Sequence, residues 1–408
     1  MHPVEEIRCR VSDELANHLV VLGVSYSAAI YRAIDVAREL VRRCADVIVA
    51  MTPSARKAID PKLFHWATGR KPITSITGDV EHVTYARRCS SMAVAPATLR
   101  TMSAIAWGCS NNVVTSMAIT ARSAGKPVLI VPAMHLDMWR SPQCRKVVEL
   151  LREEGYSILP PVMKNGRLVM AKPSYVARKI VALTLRGEDL RGLRIVVTAG
   201  ATREFIDGVR FVSNPSSGRM GIAIAFEAFA RGAKVVLVHG HLEVEVPPWI
   251  ESYEAISTED MARKLLEVVK SFDPHVVVMA AAPSDFRPRQ RFEGKIPSGI
   301  EKLVLELVPT PKILKEVRKV FKGILVGFAA EYTTDVNELV ERGSRKLAEY
   351  DLDMIVVNSV AKPGIGFGSA MNEVVMIDRQ GSKSFVGPAL KEVVARAILD
   401  KVKELVSR

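Results

Sequence analysis

Apolar residues in this chain fall into short, nearly unbroken runs, separated by longer stretches where apolar and polar residues alternate with a helical period. The first runs are "HLVVLGVS" (18–25), "ADVIVAMT" (45–52), "SMAVAPAT" (91–98) and "PVLIVPAM" (127–134). A second series comprises "LRIVVTAG" (193–200), "AKVVLVHG" (233–240), "HVVVMAAA" (275–282), "GILVGFAA" (323–330) and "DMIVVNSV" (353–360). Strands divided by amphipathic helices predict parallel βαβ units, because a parallel pair needs a long crossover. Strands that stay apolar at successive positions predict a sheet covered on both faces. Between the two series lies "YVARKIVALTLRGEDLRG" (175–192), a basic helix ending in a Gly-punctuated polar link, so a domain boundary is placed near residue 187. The chain reads as two doubly wound α/β domains with parallel sheets, 1–187 and 188–408. Such sheets bind ligands beyond the carboxyl ends of their strands, which makes the strand-end residues the informative ones.

A length of 408 residues agrees with two cores rather than one. No apolar run approaches the roughly 18 residues of a membrane span, and the start "MHPVEEIRCRVSDELANH" lacks a basic-then-apolar signal pattern. A cytoplasmic protein with no membrane partner is expected. The five cysteines are odd in number and show no CxxC spacing, which argues against a disulfide framework or a zinc site. The net charge of +13 is spread through helical patterns beside acids, without an aromatic-interleaved basic strip. It reads as solvated surface with attraction for small anions, not as a nucleic-acid interface.

The most unusual stretch is "TAGATREFIDGVRFVSNPSSGRMG" (198–221), where the chain leaves a strand at about Val197 and regains an apolar helical period only near Met220. GxGxxG is absent, which disfavours a dinucleotide. Asn214, Ser216, Ser217 and Gly218 sit just before the helix, where unpaired N–H groups and the helix dipole favour a phosphate. Arg203, Arg210 and Arg219 could add charge-assisted contacts. Taken alone, Ser216 or Ser217 could equally be an N-cap and the arginines surface charge.

This stretch, with "AAAPSDFRP" (280–288), "GKIPS" (294–298), "VPTPKIL" (308–314), "VGFAAE" (326–331), "KLAEYDLDMIVVN" (346–358) and "GFGSAMNEVVMI" (366–377), resembles the phosphopantothenoylcysteine synthetases. The resemblance implies a Rossmann-like fold and an amide ligase of coenzyme A synthesis. CTP, or ATP, would activate the carboxylate of 4′-phosphopantothenate as an acyl-nucleotide with loss of pyrophosphate, and the amine of L-cysteine would then displace the nucleotide. Lys295 and Arg210 suit charge neutralisation of phosphates and of the activated acyl group. Asn214 matches the family asparagine that guards the intermediate. Nucleotide contacts are implied for Ser216, Ser217, Gly218, Ala282, Asp285, Lys295, Pro311, Lys312, Ile313, Leu314, Phe328, Lys346 and Tyr350. Magnesium is expected to shield the triphosphate, with ligands that the sequence does not reveal. Three features depart from the family: Tyr350 replaces a second lysine, Lys312 replaces an acid, and the second lysine of the family's KIKK is absent, with Ser298 or a neighbour nearby. They leave CTP and ATP open.

In the first half, "GVSYSAAIYRA" (23–33), "VAMTPSARKAI" (49–59), "EHVTYARRCSSMAVAPATLRTMSAIAWG" (81–108) and "VPAMHLDMW" (131–139) resemble the flavin-dependent decarboxylases acting on cysteine thiols, which have a flavodoxin-like fold. The resemblance implies FMN held by Gly23, Ser25, Ser27, Thr52, Thr98, Thr101 and Met134. His82 matches the catalytic histidine, handling a substrate proton while the flavin takes hydride. Tyr26, Arg100 and His135 depart from the pattern, and no cysteine occupies 160–175, where the family carries its proton donor. Three readings follow for this half: a working decarboxylase, a degenerate scaffold beside a ligase, or an FMN-binding assembly module. Flavin halves of this kind trimerise and synthetase halves dimerise, so a homo-oligomer is expected.

Overall fold

A computed structural model describes residues 2–299 and 301–408, and the chain divides into two compact units, Met1–Gly187 and Glu188–Arg408. In the first unit the strands are β1 (Leu19–Val24), β2 (Asp46–Met51), β3 (Ser91–Ala97), β4 (Val128–Pro132) and β5 (Ser157–Ile158), followed by the hairpin β6 (Val162–Lys164) and β7 (Arg167–Val169). The helices are α1 (Arg32–Arg42), α2 (Pro53–Ala58), α3 (Pro61–Thr68), α4 (Glu81–Arg88), α5 (Leu99–Ala106), α6 (Val113–Ser123), α7 (Leu136–Arg140), α8 (Pro142–Glu153) and α9 (Pro173–Arg186). The main sheet is parallel in the order β2-β1-β3-β4-β5, the flavodoxin-like arrangement.

The unbroken apolar runs have the predicted cause. Val21, Ile48, Val94 and Ile130 face one core with Met102, Met117, Val148 and Leu151 of the helices, while the intervening Val20, Leu22, Val49 and Leu129 are buried on the other face. Local signals set the ends: Asn112 and Thr115 form a reciprocal capping box at α6, and Ser141 caps α8 just before Pro142. Asn165 and Gly166 both take left-handed backbone (φ 50° and 72°), as a two-residue turn of the β6–β7 hairpin requires.

Cys9 and Cys44 are joined in a disulfide across 35 residues, which corrects the sequence-based argument against such bonds. Oddness and spacing count cysteines along the chain, whereas here the N-terminal segment runs back along the end of α1. Cys9 N–H donates to Val41 O (3.2 Å) and Val11 N–H to Arg42 O (2.8 Å), so the two thiols meet. Closing a loop of this size restricts the unfolded chain by about 4 kcal/mol. A thiol reductant is expected to lower the unfolding midpoint of this unit correspondingly, with no change after Cys9→Ser.

The second unit contains β8 (Arg194–Ala199), β9 (Arg203–Phe205), β10 (Phe211–Ser213), β11 (Lys234–His239), β12 (Glu251–Glu254), β13 (Val276–Met279), β14 (Phe286–Pro288), β15 (Leu307–Pro309), β16 (Ile324–Glu331), β17 (Met354–Ser359), β18 (Met371–Asp378) and β19 (Lys383–Leu390). Its helices are α10 (Arg219–Ala230), α11 (Thr258–Phe272), α12 (Ile313–Val320), α13 (Val336–Glu349) and α14 (Lys391–Val406). The sheet runs β12-β11-β8-β13-β16-β17-β18-β19 and is parallel as far as β17. The strands β18 and β19 are antiparallel, an addition to the all-parallel reading. Successive residues serve opposite cores: Val197, Val278, Val326 and Val356 pack under α10 and α14, and Val196, Val277, Leu325 and Ile355 pack under α11, α12 and α13. Gly221 lets α10 press on β8, since a Cβ there would lie 2.6 Å from that of Ala199.

The end of α10 is tied to the start of the unit by charge. Arg231 is fully buried, donating to both carboxylate oxygens of Asp189 at 2.8 Å and pairing with Asp400 at 2.8 Å. Asp189→Ala takes two charge-assisted bonds from a fully buried guanidinium and leaves it paired with Asp400, so it is expected to cost about 3 kcal/mol. Denaturant unfolding would show it as a lower midpoint at unchanged slope.

Candidate active sites

In the second unit a cavity of about 420 Å³ opens at the carboxyl ends of β13, β16 and β17. Its wall includes Asn214, Ser216, Ser217, Gly218, Ala282, Asp285, Pro311, Lys312, Ile313, Leu314, Phe328, Lys346 and Tyr350, so the structure gathers these sequence-predicted positions into one place. The helix α10 starts at Gly218 in left-handed backbone (φ 76°) without a side-chain cap, so neither serine is an N-cap. The first N–H groups of α10 are thus open to an anion at the cavity. Ser217 is buried and its carbonyl accepts Glu243 N–H (3.1 Å), which fixes the turn. The Asn214 amide donates to Ala282 O (3.3 Å) and Pro283 O (3.0 Å), bridging the turn before α10 to the loop after β13.

Several charged groups around the cavity are already paired. The Asp285 carboxylate binds the Lys312 ammonium at 2.6 Å and holds the Lys312 pKa above its ordinary value. Lys346 donates to Glu331 at 2.6 Å, and Arg342 pairs with the same carboxylate at 3.0 Å. Burial alone would raise the Glu331 pKa, but these two cations bring it below the usual carboxylate value. Tyr350 ends α13, with the Lys315 ammonium 5.4 Å above its ring.

Arg210 and Lys295 are not in the cavity wall. They belong to a second cluster built by the β9–β10 hairpin, which the sequence reading did not resolve. Asp207 is buried and accepts N–H bonds from Val209 (2.7 Å), Arg210 (2.6 Å) and Ile296 (3.1 Å), and a guanidinium bond from Arg210 (2.7 Å). The Arg210 N–H bond dominates in holding the Asp207 pKa far below the usual carboxylate range, against the opposing effect of burial. Arg210 also donates to Ile296 O (3.1 Å), and Gly208 N–H donates to Gly294 O (2.7 Å). Lys295 is therefore pinned through the backbone on both sides while its side chain stays exposed. Arg203 stacks on Phe211 (4.7 Å), not at the cavity. Residues missed from sequence are Asn358, Asn372 and Lys391, which line the cavity and are buried.

Two recesses of the first unit hold most of its sequence-predicted residues. One, of about 380 Å³, is lined by Ser25, Thr52, Thr98 and Thr101 together with Tyr26, Arg100, Asn111 and Asn112. Ser25 donates to Pro96 O (2.8 Å) and accepts Thr98 N–H (3.0 Å), joining the ends of β1 and β3. Thr52 and Thr98 cap α2 and α5. The other, of about 770 Å³, has Ser27, Met134 and His135 facing the residues of the β6–β7 hairpin. Gly23 lines neither: it lies within β1, where a Cβ would meet Val114 at 2.8 Å, so its role is packing. His82 stands in the first turn of α4, outside both recesses, and its Nδ1 is buried without a hydrogen-bond partner. His135 Nδ1 lies 3.2 Å from Asp137, both well exposed. The convergence of hydroxyls beside two helix starts fits the phosphate and polyol of a flavin nucleotide. Among the described residues no group of three or more His, Cys, Asp or Glu could hold a metal ion, and no helix is long and apolar enough to cross a membrane.

Fold and cavities together define a chain of two α/β domains, each with recesses at its strand ends lined by polar and cationic side chains. The second unit matches the family model for the DNA/pantothenate metabolism flavoprotein C-terminal domain over residues 190–406, and the first matches the Flavoprotein model over residues 8–185. The coenzyme A biosynthesis bifunctional protein CoaBC of Thermococcus kodakarensis is 36% identical over 99% of this chain and 100% of that protein. Its counterpart in Methanocaldococcus jannaschii is 33% identical over 100% of this chain and 98% of that protein. A crystal structure of a CoaBC C-terminal domain is 34% identical, covering 54% of this chain and 98% of that one, with a TM-score of 0.45. The chain belongs to the family of bifunctional CoaBC proteins of coenzyme A biosynthesis. It is an enzyme with a decarboxylase-like flavoprotein domain followed by a ligase domain.

Proposed function

We propose that the second unit joins L-cysteine to 4′-phosphopantothenate at the expense of CTP, and that the first unit, with FMN, decarboxylates the product to 4′-phosphopantetheine. The observation carrying the ligase step is the uncapped start of α10 beside Asn214 in one cavity at the strand ends. There the substrate carboxylate attacks the α-phosphate of CTP and pyrophosphate leaves; the cysteine amine then attacks the acyl carbon and CMP leaves. Asn214 is held where it can bond the acyl carbonyl, and Phe328 offers a face to the base or ribose. Lys295 and Arg210 supply positive charge, delivered by the segment that Asp207 anchors. Magnesium bound to the triphosphate would neutralise its charge and assist departure of pyrophosphate. ATP is the alternative, left open because Lys312, paired with Asp285, and Tyr350 change the charge near the expected nucleotide contacts.

In the first unit Ser25, Thr52, Thr98 and Thr101 would hold the FMN phosphate and polyol, with Ser27 and Met134 nearby. The flavin supplies hydride acceptance and return. His82 holds or moves a substrate proton, in keeping with its buried and unpartnered Nδ1. The protein is proposed to work in the cytoplasm as a homo-oligomer, ligase units dimerising and flavin units trimerising. Exposed Val209, Phe211 and Phe286 in one unit, and Trp66, Trp107 and Met138 in the other, suit such contacts.

The ligase half is tested by pyrophosphate release from CTP or ATP in the presence of 4′-phosphopantothenate alone. Release with CTP is expected. No release with either nucleotide sinks this half of the reading. For the first unit, purified protein is expected to be yellow and to release FMN on denaturation.

A further inference from the structure

Lys391 is the first residue of α14, delivered to the cavity of the second unit by the β18–β19 hairpin. Only 7% of it is exposed. Its ammonium donates to Gly366 O at 2.8 Å and, among the described residues, forms no ion pair. Asp285, the acid in the wall of the same cavity, is committed to Lys312. The charge that acts on Lys391 is another cation, Arg219, the first residue of α10, which also lines the cavity. Burial first, and Arg219 second, push the Lys391 pKa down to about 8.

Asn372 gives a separate indication. It is 3% exposed, lines the same cavity, and sits where the β18–β19 register shifts. Its Nδ2 reaches only the Met220 sulfur at 3.7 Å, and its Oδ1 is buried without a partner. Buried amides are normally satisfied, so an unmet one at a cavity wall marks a missing partner. The Nδ2, with only a sulfur to meet, is a donor left over for a ligand in the cavity, and Lys391 and Arg219 beside the uncapped start of α10 mark that ligand as an anion.

We propose that Lys391, Arg219 and Asn372 form a phosphate subsite of the ligase cavity, in which Lys391 is the buried charge that meets a phosphoryl group of the substrate. This rests on the reading of the cavity as the ligase site and extends it to a residue far along the chain. Two molecules carry the required chemistry: the nucleotide, through phosphates released as pyrophosphate, and 4′-phosphopantothenate, through its 4′-phosphate.

The full chain is titrated calorimetrically with inorganic pyrophosphate, CTP and 4′-phosphopantothenate, comparing wild type with Lys391→Met, Lys391→Arg and Asn372→Asp. Loss of a charge-assisted bond is expected to weaken one of these ligands about 10- to 100-fold in Lys391→Met, with most of the affinity restored in Lys391→Arg. Weakened pyrophosphate and CTP assign the subsite to the nucleotide; weakened 4′-phosphopantothenate alone assigns it to the 4′-phosphate. Asn372→Asp puts a carboxylate into the same cavity wall, where it repels an anion, and is expected to weaken the same ligand, which guards against misfolding of a single variant. If wild type binds these ligands and both Lys391→Met and Asn372→Asp bind them within about threefold, the subsite is overturned and Lys391 is only a strut to Gly366. Wild type that binds none of the three overturns the subsite and the ligase reading together.

Discussion

Lys295→Gln is expected to lower the rate of ligation by about 100-fold or more, the usual loss when a charge stabilising a transition state is removed. The unfolding midpoint should not change, because the Lys295 side chain is exposed. The size of the effect depends on the backbone around it. Gly294 O and both backbone groups of Ile296 are fastened to the β9–β10 hairpin by Gly208, Asp207 and Arg210. Asp207→Asn replaces an acceptor of four bonds with a group that brings two donors of its own, freeing the segment without touching substrate. It should lower ligation in the same direction, since a small misplacement of a catalytic group can cost up to about 100-fold. If Asp207 acts only through Lys295, the double variant is no worse than Lys295→Gln alone. The depressed pKa of Asp207 means that its contribution is fully present above the ordinary carboxylate value of about 4 and is lost only as the pH falls below it. The ligation profile should therefore show no acid limb from this latch near neutrality.

His82→Asn is expected to reduce decarboxylation of phosphopantothenoylcysteine by about 10²- to 10⁴-fold, the range for loss of a positioned proton-transfer group. Flavin content and ligation should be unchanged. The variant keeps the size and one hydrogen-bonding end of the imidazole, so the α4 start it occupies should survive. Unchanged decarboxylation would remove His82 from the chemistry and leave its buried Nδ1 as a packing feature.

The long strands were legible because each is covered on both faces. Val196 and Val197, or Leu325 and Val326, are neighbours in sequence that serve opposite cores, and that requirement writes an unbroken apolar run. The strands β9 and β10 escaped the same reading because they are three residues each, partly exposed and outside the main sheet. That omission matters at the site, since this hairpin carries Asp207 and Arg210. The turn at Asn214–Gly218 was legible as the approach to a helix start at the cavity, from residue types alone, though not whether a serine caps that helix. Lys391 was not, because only the antiparallel return of β19 brings the start of α14 to Arg219. The disulfide likewise depends on a backbone path that spacing does not encode.

The most direct test is mass spectrometry of the products formed by purified, flavin-loaded protein from 4′-phosphopantothenate, L-cysteine, magnesium and either CTP or ATP. The expected result with CTP is 4′-phosphopantetheine with CMP, pyrophosphate and carbon dioxide. Accumulation of phosphopantothenoylcysteine without further conversion would contradict the decarboxylase half, and consumption of neither nucleotide would contradict the whole account.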